Sequence, residues 1–384
     1  MGFAVCRLIV AALLLGAVAA VADVTAGGQV RSRWELRDTD GVASDGHTAT
    51  RTRAGLSATL EGGVSAFMQW QDVRIWGEEG NTLGDFSADR IDLHQGWVQF
   101  KDFADKGVDL RIGRQEIAFG GQRLVGAVGW THQGRSFDAV RGTWRPGGST
   151  VDVVASRLGD TSSPPAAANG TFAGVYASVA PLSGAELFLL YNSLDPATEQ
   201  FTAGARKKGQ AAGFDYRVEG AYQTGDRADL DVAAFFAGAR VGRSISGVDL
   251  TLWYDYLSGD DETKVFDTLF ATNHKFYGYA DFFLNIPVHT AGGGLQDVAL
   301  KAKKTLRPGL TAALDVHSFS LADDTGVSTA HLGEEVDLTV GWDYRGVARF
   351  TGGASYVLAA DGFADIGRLA DDALFLYLMT DVRF

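Results

Sequence analysis

Residues 335–344 read Glu-Val-Asp-Leu-Thr-Val-Gly-Trp-Asp-Tyr. Val336, Leu338, Val340, Trp342 and Tyr344 share one parity, and Glu335, Asp337, Thr339, Gly341 and Asp343 the other. A helix would scatter these residues around its axis, whereas a strand sends them to opposite faces because its side chains alternate with a period of two. The same rhythm runs back towards the N-terminus. Val248, Leu250, Leu252, Tyr254 and Tyr256 oppose Asp249, Thr251, Trp253 and Asp255. Ala54, Leu56, Ala58 and Leu60 oppose Arg51, Arg53, Ser57 and Thr59, and Val30, Ser32, Trp34 and Leu36 oppose Arg31, Arg33, Glu35 and Arg37. These stretches run about 9–13 residues, against about 5–6 for ordinary strands. Such length, with one apolar face and aromatic ends, fits an antiparallel transmembrane barrel.

Eighteen segments of this kind are expected, near 26–38, 48–60, 64–75, 90–100, 108–118, 135–145, 149–158, 172–180, 185–194, 198–207, 214–224, 229–241, 248–257, 295–305, 310–320, 332–343, 346–358 and 374–384. In 185–194, 198–207 and 229–241 either face could be the outer one. Every second connection is short: 61–63, 146–148, 181–184, 307–309 and 344–346. The others are mostly long, at 76–89, 119–134, 159–171, 258–294, 321–331 and 359–373. Short turns at one end and long loops at the other are the pattern of a bacterial outer-membrane barrel with both termini in the periplasm. The last segment places Leu374, Leu376, Leu378, Val382 and the terminal Phe384 on one face, the ending typical of barrels inserted by the outer-membrane assembly machinery.

The chain has 384 residues, 46% hydrophobic and 21% charged, with 49 Gly, 7 Pro and one Cys. Residues 1–22 have the form of a secretory signal: Arg7 in a short n-region, the apolar run 8–22, and Ala20-Val21-Ala22 before a cut at Asp23. The run is too short for a spanning helix, which needs about 20 residues. Cleavage leaves a single domain, 23–384, and removes Cys6. Disulfides, thiolate catalysis and cysteine-ligated metal are thereby excluded. Only Arg7 is lost from the charge balance, which moves from −13 to −14. That sign argues against nucleic acid as a partner. The apolar content is too high for disorder, and abundant Gly with little Pro reads as many turns.

A barrel of this size leaves an aqueous lumen, so function depends on which residues point inward. Alternation directs Arg31, Arg33, Arg37, Arg51, Arg53, Arg111, Arg141, Arg145, Arg217, Lys301, Lys303 and Arg349 inward, with Glu35, Asp109, Asp215, Glu219, Asp249, Asp255, Asp297, Glu335, Asp337 and Asp343. The bases gather on strands 1, 2, 5 and 6, and the acids on strands 11, 13 and 16. A basic wall would attract a polyanion through fields focused in a narrow channel; the same residues could equally form a ladder of ion pairs. Much of the negative charge lies in presumed outer loops, including Glu78, Asp260, Asp323, Asp361 and Asp372. There it could meet lipopolysaccharide through divalent ions.

Two stretches are denser than the strand rhythm requires. Residues 111–126 read RIGRQEIAFGGQRLVG, followed by Trp130 and by GRSFDAVR at 134–141. Residues 274–297 read HKFYGYADFFLNIPVHTAGGGLQD; their aromatic faces suit either sugar rings or a loop with its own small core. With these motifs the sequence resembles the alginate-export family of outer-membrane porins across most of the mature chain. The resemblance implies an 18-stranded monomeric barrel with an arginine-lined lumen that passes a linear polyuronate out of the periplasm. By motif match it carries Arg111, Arg114, Gln115, Arg123, Arg135, Asp138 and Arg141 over as pore or constriction residues. Arg114 falls on the lipid-facing parity, which calls for a bulge or a place at the rim. The late turn 344–346 is shorter than the long periplasmic loop the resemblance implies, and the loop at 76–89 is a candidate to fold into the lumen.

Export of an anionic polysaccharide such as alginate is therefore the leading expectation, with a diffusion porin for small anions or oligosaccharides as its rival. An enzyme would need Ser and His within hydrogen-bond reach, and His317 and Ser318 sit on opposite faces of one strand. His47, His94, His132 and His331 show no sequence partners, and no paired spacing suggests a metal site. No cofactor is expected.

Overall fold

The computed structural model describes residues 22–39, 46–78, 91–159, 170–194, 198–227, 230–260 and 263–384. Residues 1–21 of the expected signal 1–22, and most of the connection 76–89 that was a candidate to fold inward, lie outside these. Alternation closes into a wall of eighteen antiparallel strands. They are β1 (Ala22–Asp38), β2 (His47–Leu60), β3 (Val64–Ile75), β4 (Asp92–Phe100), β5 (Val108–Gln115), β6 (Phe137–Trp144), β7 (Thr150–Gly159), β8 (Gly170–Val179) and β9 (Ala185–Ser193). The second half comprises β10 (Glu199–Ala211), β11 (Phe214–Arg227), β12 (Leu230–Ile245), β13 (Val248–Leu257), β14 (Leu295–Arg307), β15 (Leu310–Ser320), β16 (His331–Tyr344), β17 (Ala348–Ala359) and β18 (Ala373–Arg383). Each strand pairs with its sequence neighbours, and β1 pairs with both β2 and β18, which closes the barrel and removes the open edges.

Outward positions carry the apolar parity. Leu56, Leu252, Leu300, Leu338 and Leu378 are exposed on the barrel exterior, where lipid tails replace water. Ring pairs mark the ends of the apolar band. Trp342 stacks with Phe350 at 5.5 Å near the periplasmic turns, and Phe235 with Tyr256 at 5.4 Å towards the other end, as expected for interfacial aromatics. The periplasmic turns reverse through positive φ, at Gly62 (+74°) and Gly309 (+79°) for example, where a Cβ would be strained.

The apolar core sits inside the barrel at its outer end. The chain leaves the wall after Gln115 and re-enters at Phe137, so β5 and β6 are shorter than their alternation suggested. The intervening residues carry Ile117, Phe119, Leu124 and Val125 into the lumen, where they pack with Phe266, Phe276, Tyr277 and Phe283 of the 258–294 loop. The two loops are stitched by backbone bonds: Phe270 N–H to Leu124 O at 2.8 Å, Gly126 N–H to Phe270 O at 2.9 Å, and Thr272 N–H to Gln122 O at 2.9 Å. Of the two readings of the aromatic stretch 274–297, the loop core is the one realised. Residues 116–136 and 258–294 thus fold inward, and Phe363 of the β17–β18 connection packs onto the same core against Phe283 at 5.6 Å.

Candidate functional site

Inward parity on β1 and β2 places Arg31, Arg33, Arg51 and Arg53 side by side, and the register pairs Arg31 with Arg51. All four guanidinium groups are nearly enclosed, because residues 127–133 cross the lumen directly against them. Arg31 donates to the carbonyls of Gly129 (2.5 Å), Trp130 (3.2 Å) and Thr131 (2.7 Å). Arg33 donates to Trp130 O at 2.6 Å, and Arg51 to Gly129, Thr131 and His132 at 3.3–3.4 Å. Arg53 donates to Gln133 O at 3.1 Å. Backbone carbonyls satisfy donors without cancelling charge. Arg33 also meets Glu35 (2.5 Å) and Arg53 meets Glu116 (3.3 Å), whereas Arg31 and Arg51 have no carboxylate within salt-bridge distance among the described residues. The wall is therefore basic, with two ion pairs set into it.

Beneath this segment lies a chamber of about 610 Å³ facing the periplasmic end, lined by Arg31, Arg51, Arg53, Arg383, Glu116 and Asp381. The histidines expected to lack partners hold its roof. His94 Nε2 lies 2.7 Å from Glu116, and His132 Nε2 lies 3.2 Å from Glu35. Burial raises the Glu116 carboxyl, but the His94 hydrogen bond and Arg53 hold it below the usual carboxylate range. Burial lowers His132, more than Glu35 raises it. Glu35, His47 and His132 bring three ligand atoms within 4.8 Å of one another. That meeting was invisible in the spacing, but Arg33 and Arg37 beside Glu35 put positive charge where a cation would sit.

The motif residues divide. Arg111 and Arg141 face a second, smaller basic recess of about 150 Å³ with Asp109, Thr143 and Arg145. Arg111 lies over Trp97 at 3.9 Å and donates to Gln99, while Arg141 holds Asp152 at 2.8 Å. Arg114 and Asp138 are not pore residues in this arrangement. They are register partners on the exterior face, 3.1 Å apart, because the strand keeps its alternation through Gly113 and no bulge resets it. Gln115 is buried and donates to the Gly113 and Ala139 carbonyls. Arg123 is enclosed in the loop core, with its Nη1 2.6 Å from Asp255 and 2.7 Å from the Tyr277 hydroxyl. Arg135 lies in the infolded loop over Phe270. Lys301 is bound to Asp315 at 2.8 Å. Lys303 is exposed towards the periplasmic end, and Arg349 pairs with Asp343 at that mouth.

A third basic group was read only in part. Arg217, expected to point inward, is joined by Arg206 and Arg240, which were missed; Arg206 and Arg217 surround Glu186 and Glu219, and Arg240 lies over Trp253. Lys275 of the infolded loop is lowered to about 8 by burial and by Arg240, Arg123 and Arg217. The acids concentrate opposite, on β13–β16: Asp255, Asp297, Asp315, Glu335 and Asp337, all buried.

A barrel closed by one chain, with short periplasmic turns, long outer loops and a charged, partly plugged lumen, is an outer-membrane channel. The sequence profile of the alginate export family matches residues 22–365, and the chain belongs to that family. No curated protein matches the sequence. The fold is that of several Pseudomonas aeruginosa barrels. OpdO aligns over 94% of this chain and 97% of its own, with 15% identity and a TM-score of 0.68. OccK11 (OpdR) covers 94% and 96%, with 13% identity and a TM-score of 0.66. OpdK, solved with vanillate, covers 94% and 98%, with 12% identity and a TM-score of 0.63.

Proposed function

We propose that the channel passes an anionic polysaccharide, an alginate-like polyuronate, from the periplasm to the exterior along its arginines. The observation that carries this reading is the basic chamber: Arg31 and Arg51, without carboxylate partners among the described residues, open to the periplasmic end of a chain whose net charge is −13. Guanidinium is the permanently charged, bidentate donor suited to carboxylates. Residues 127–133 stand over the chamber, so passage requires their carbonyls to yield the arginines to the substrate. The mature protein begins at Asp23, acts as a monomer in a lipopolysaccharide-bearing membrane and performs no catalysis.

A second reading, uptake of small carboxylates, is favoured by the chamber's modest size and by the fold neighbour solved with vanillate. A reversal potential across a planar bilayer under a salt gradient tests what the two share. Anion selectivity is expected and should be lost in Arg31→Ala/Arg51→Ala; cation selectivity in the native protein would sink both. Block of the current by oligouronates added from the periplasmic side, and not by small carboxylates at equal charge, supports the polymer.

A further inference from the structure

Five buried carboxylates enter the lumen from β13–β16, and three have a basic partner. Asp255 meets Arg123, Asp297 meets His317 at 2.9 Å, and Asp315 meets Lys301. Glu335 and Asp337, successive inward residues of β16, have none among the described residues. Glu335 Oε1 accepts the Ala280 N–H at 2.7 Å, but its Oε2 and both Asp337 oxygens are buried without a donor. One hydroxyl beside them is in the same condition: Ser355 Oγ on β17, the register partner of Asp337. Ser355 is 1% exposed. The infolded loop roofs the group. Gly278, at φ +80°, packs so closely on the Glu335 carboxylate that a Cβ would not fit. The Tyr279 phenol is pushed up by burial and by the charges of Asp315 and Asp337.

Two adjacent buried carboxylates with no donor are tolerated only if a proton or a cation joins them. A shared proton would serve the carboxylate pair and leave the Ser355 hydroxyl unsatisfied. A hard cation serves Glu335 Oε2, both Asp337 oxygens and Ser355 Oγ, and Ca²⁺ takes 6–8 oxygen ligands in irregular geometry, water included, whereas Mg²⁺ demands a near-ideal octahedron and dehydrates reluctantly. We propose that Glu335, Asp337 and Ser355 form a calcium site in the barrel wall beneath residues 278–280. The ion neutralises the bare pair and fastens the infolded loop to the acidic wall through Glu335. The site is independent of what the channel carries.

The test uses the full chain refolded in detergent micelles, stripped with EDTA, and dialysed against Ca²⁺ or Mg²⁺. Metal per chain is counted by elemental analysis, and unfolding is followed by loss of the heat-modifiable band on gels. Native protein should retain one Ca²⁺ more per chain than Asp337→Asn. Its unfolding temperature should fall on chelation and recover with Ca²⁺ more than with Mg²⁺. Asp337→Asn should be indifferent to Ca²⁺ and no less stable than stripped native protein, since it removes an uncompensated charge. Should that variant fail to fold, Ser355→Ala, which keeps both carboxylates, should weaken Ca²⁺ retention several-fold. Equal Ca²⁺ retention by the native protein and the variant, or a native stability that ignores Ca²⁺ and rises only on acidification from pH 8 to 5, would overturn the proposal in favour of a shared proton.

Discussion

Single charged side chains hold the plug, and their energetics differ with their surroundings. Arg123 joins the loop core to the barrel wall through Asp255 and Tyr277, with no exposure to solvent to soften its loss. Removing one member of such a buried pair typically costs about 3–5 kcal/mol, because the other charge stays behind. Arg123→Met should therefore lower the unfolding midpoint sharply, and Arg123→Met/Asp255→Asn should recover much of the loss; a double variant as unstable as the single one would show that Asp255 is not the partner that matters. Lys275 behaves differently. Its folded value of about 8 lies below the ordinary 10.5, so the folded state disfavours its charge. That penalty is full below pH 8 and fades as pH rises from 8 towards 10.5, and stability gains over that window. The lumen meanwhile loses a positive charge. Anion preference in bilayer recordings should decline as pH passes 8, and Lys275→Gln should flatten that part of the profile.

At the scale of strands and loops, residues 127–133 are the element that lies across the lumen against the β1–β2 arginines. Hydrogen bonds to charged donors contribute about 1.5–3 kcal/mol each, and this segment accepts them from four arginines. The barrel wall does not depend on it, since all eighteen strands pair without it. Replacing 127–133 by a short Gly-Ser link should leave the heat-modifiable barrel intact and raise single-channel conductance several-fold; unchanged conductance would move the constriction to the 258–294 loop. The wall was legible in the sequence because its two faces differ chemically and its turns are punctuated. β3, β13 and β15 begin and end where alternation and Gly-bearing turns put them. The inward arginines of β10 and β12 were not legible, since Ala203, Gly204, Ala205, Ala237, Gly238 and Ala239 give those strands little contrast between faces. The loop core was hidden for another reason. Phe119, Leu124, Phe276 and Tyr277 follow no period, and what buries them is a loop more than a hundred residues away in the chain. The contacts of His94 with Glu116 and of His132 with Glu35 were hidden because each joins a strand residue to a residue of the infolded loop, and only strict parity through Gly113 could have moved Arg114 and Asp138 to the exterior.

The whole molecule is closed by its ends. β18 pairs with β1, and the last residue extends that ladder: Phe384 N–H donates to Gly28 O at 3.1 Å, and Gly28 N–H donates to Phe384 O at 2.7 Å. Gly28 fits there because a Cβ would strike the Phe384 ring. Yet Phe384 remains 77% exposed on the exterior, so its ring adds little to the packing of the finished barrel. An exposed aromatic at the terminus of the closing strand is better placed to be recognised before closure than to stabilise the fold after it. Its removal should therefore separate assembly from stability. A chain ending at Arg383, refolded in detergent, should unfold within a few degrees of the full chain, since the loss is two backbone hydrogen bonds at a frayed end, each contributing about 0.5–1.5 kcal/mol. In cells the same truncation should reduce the heat-modifiable barrel recovered from the outer membrane several-fold and leave unfolded chain in the periplasm. Equal recovery of both chains would remove Phe384 as an assembly signal, whereas a matching fall in the purified protein's midpoint would make its role structural.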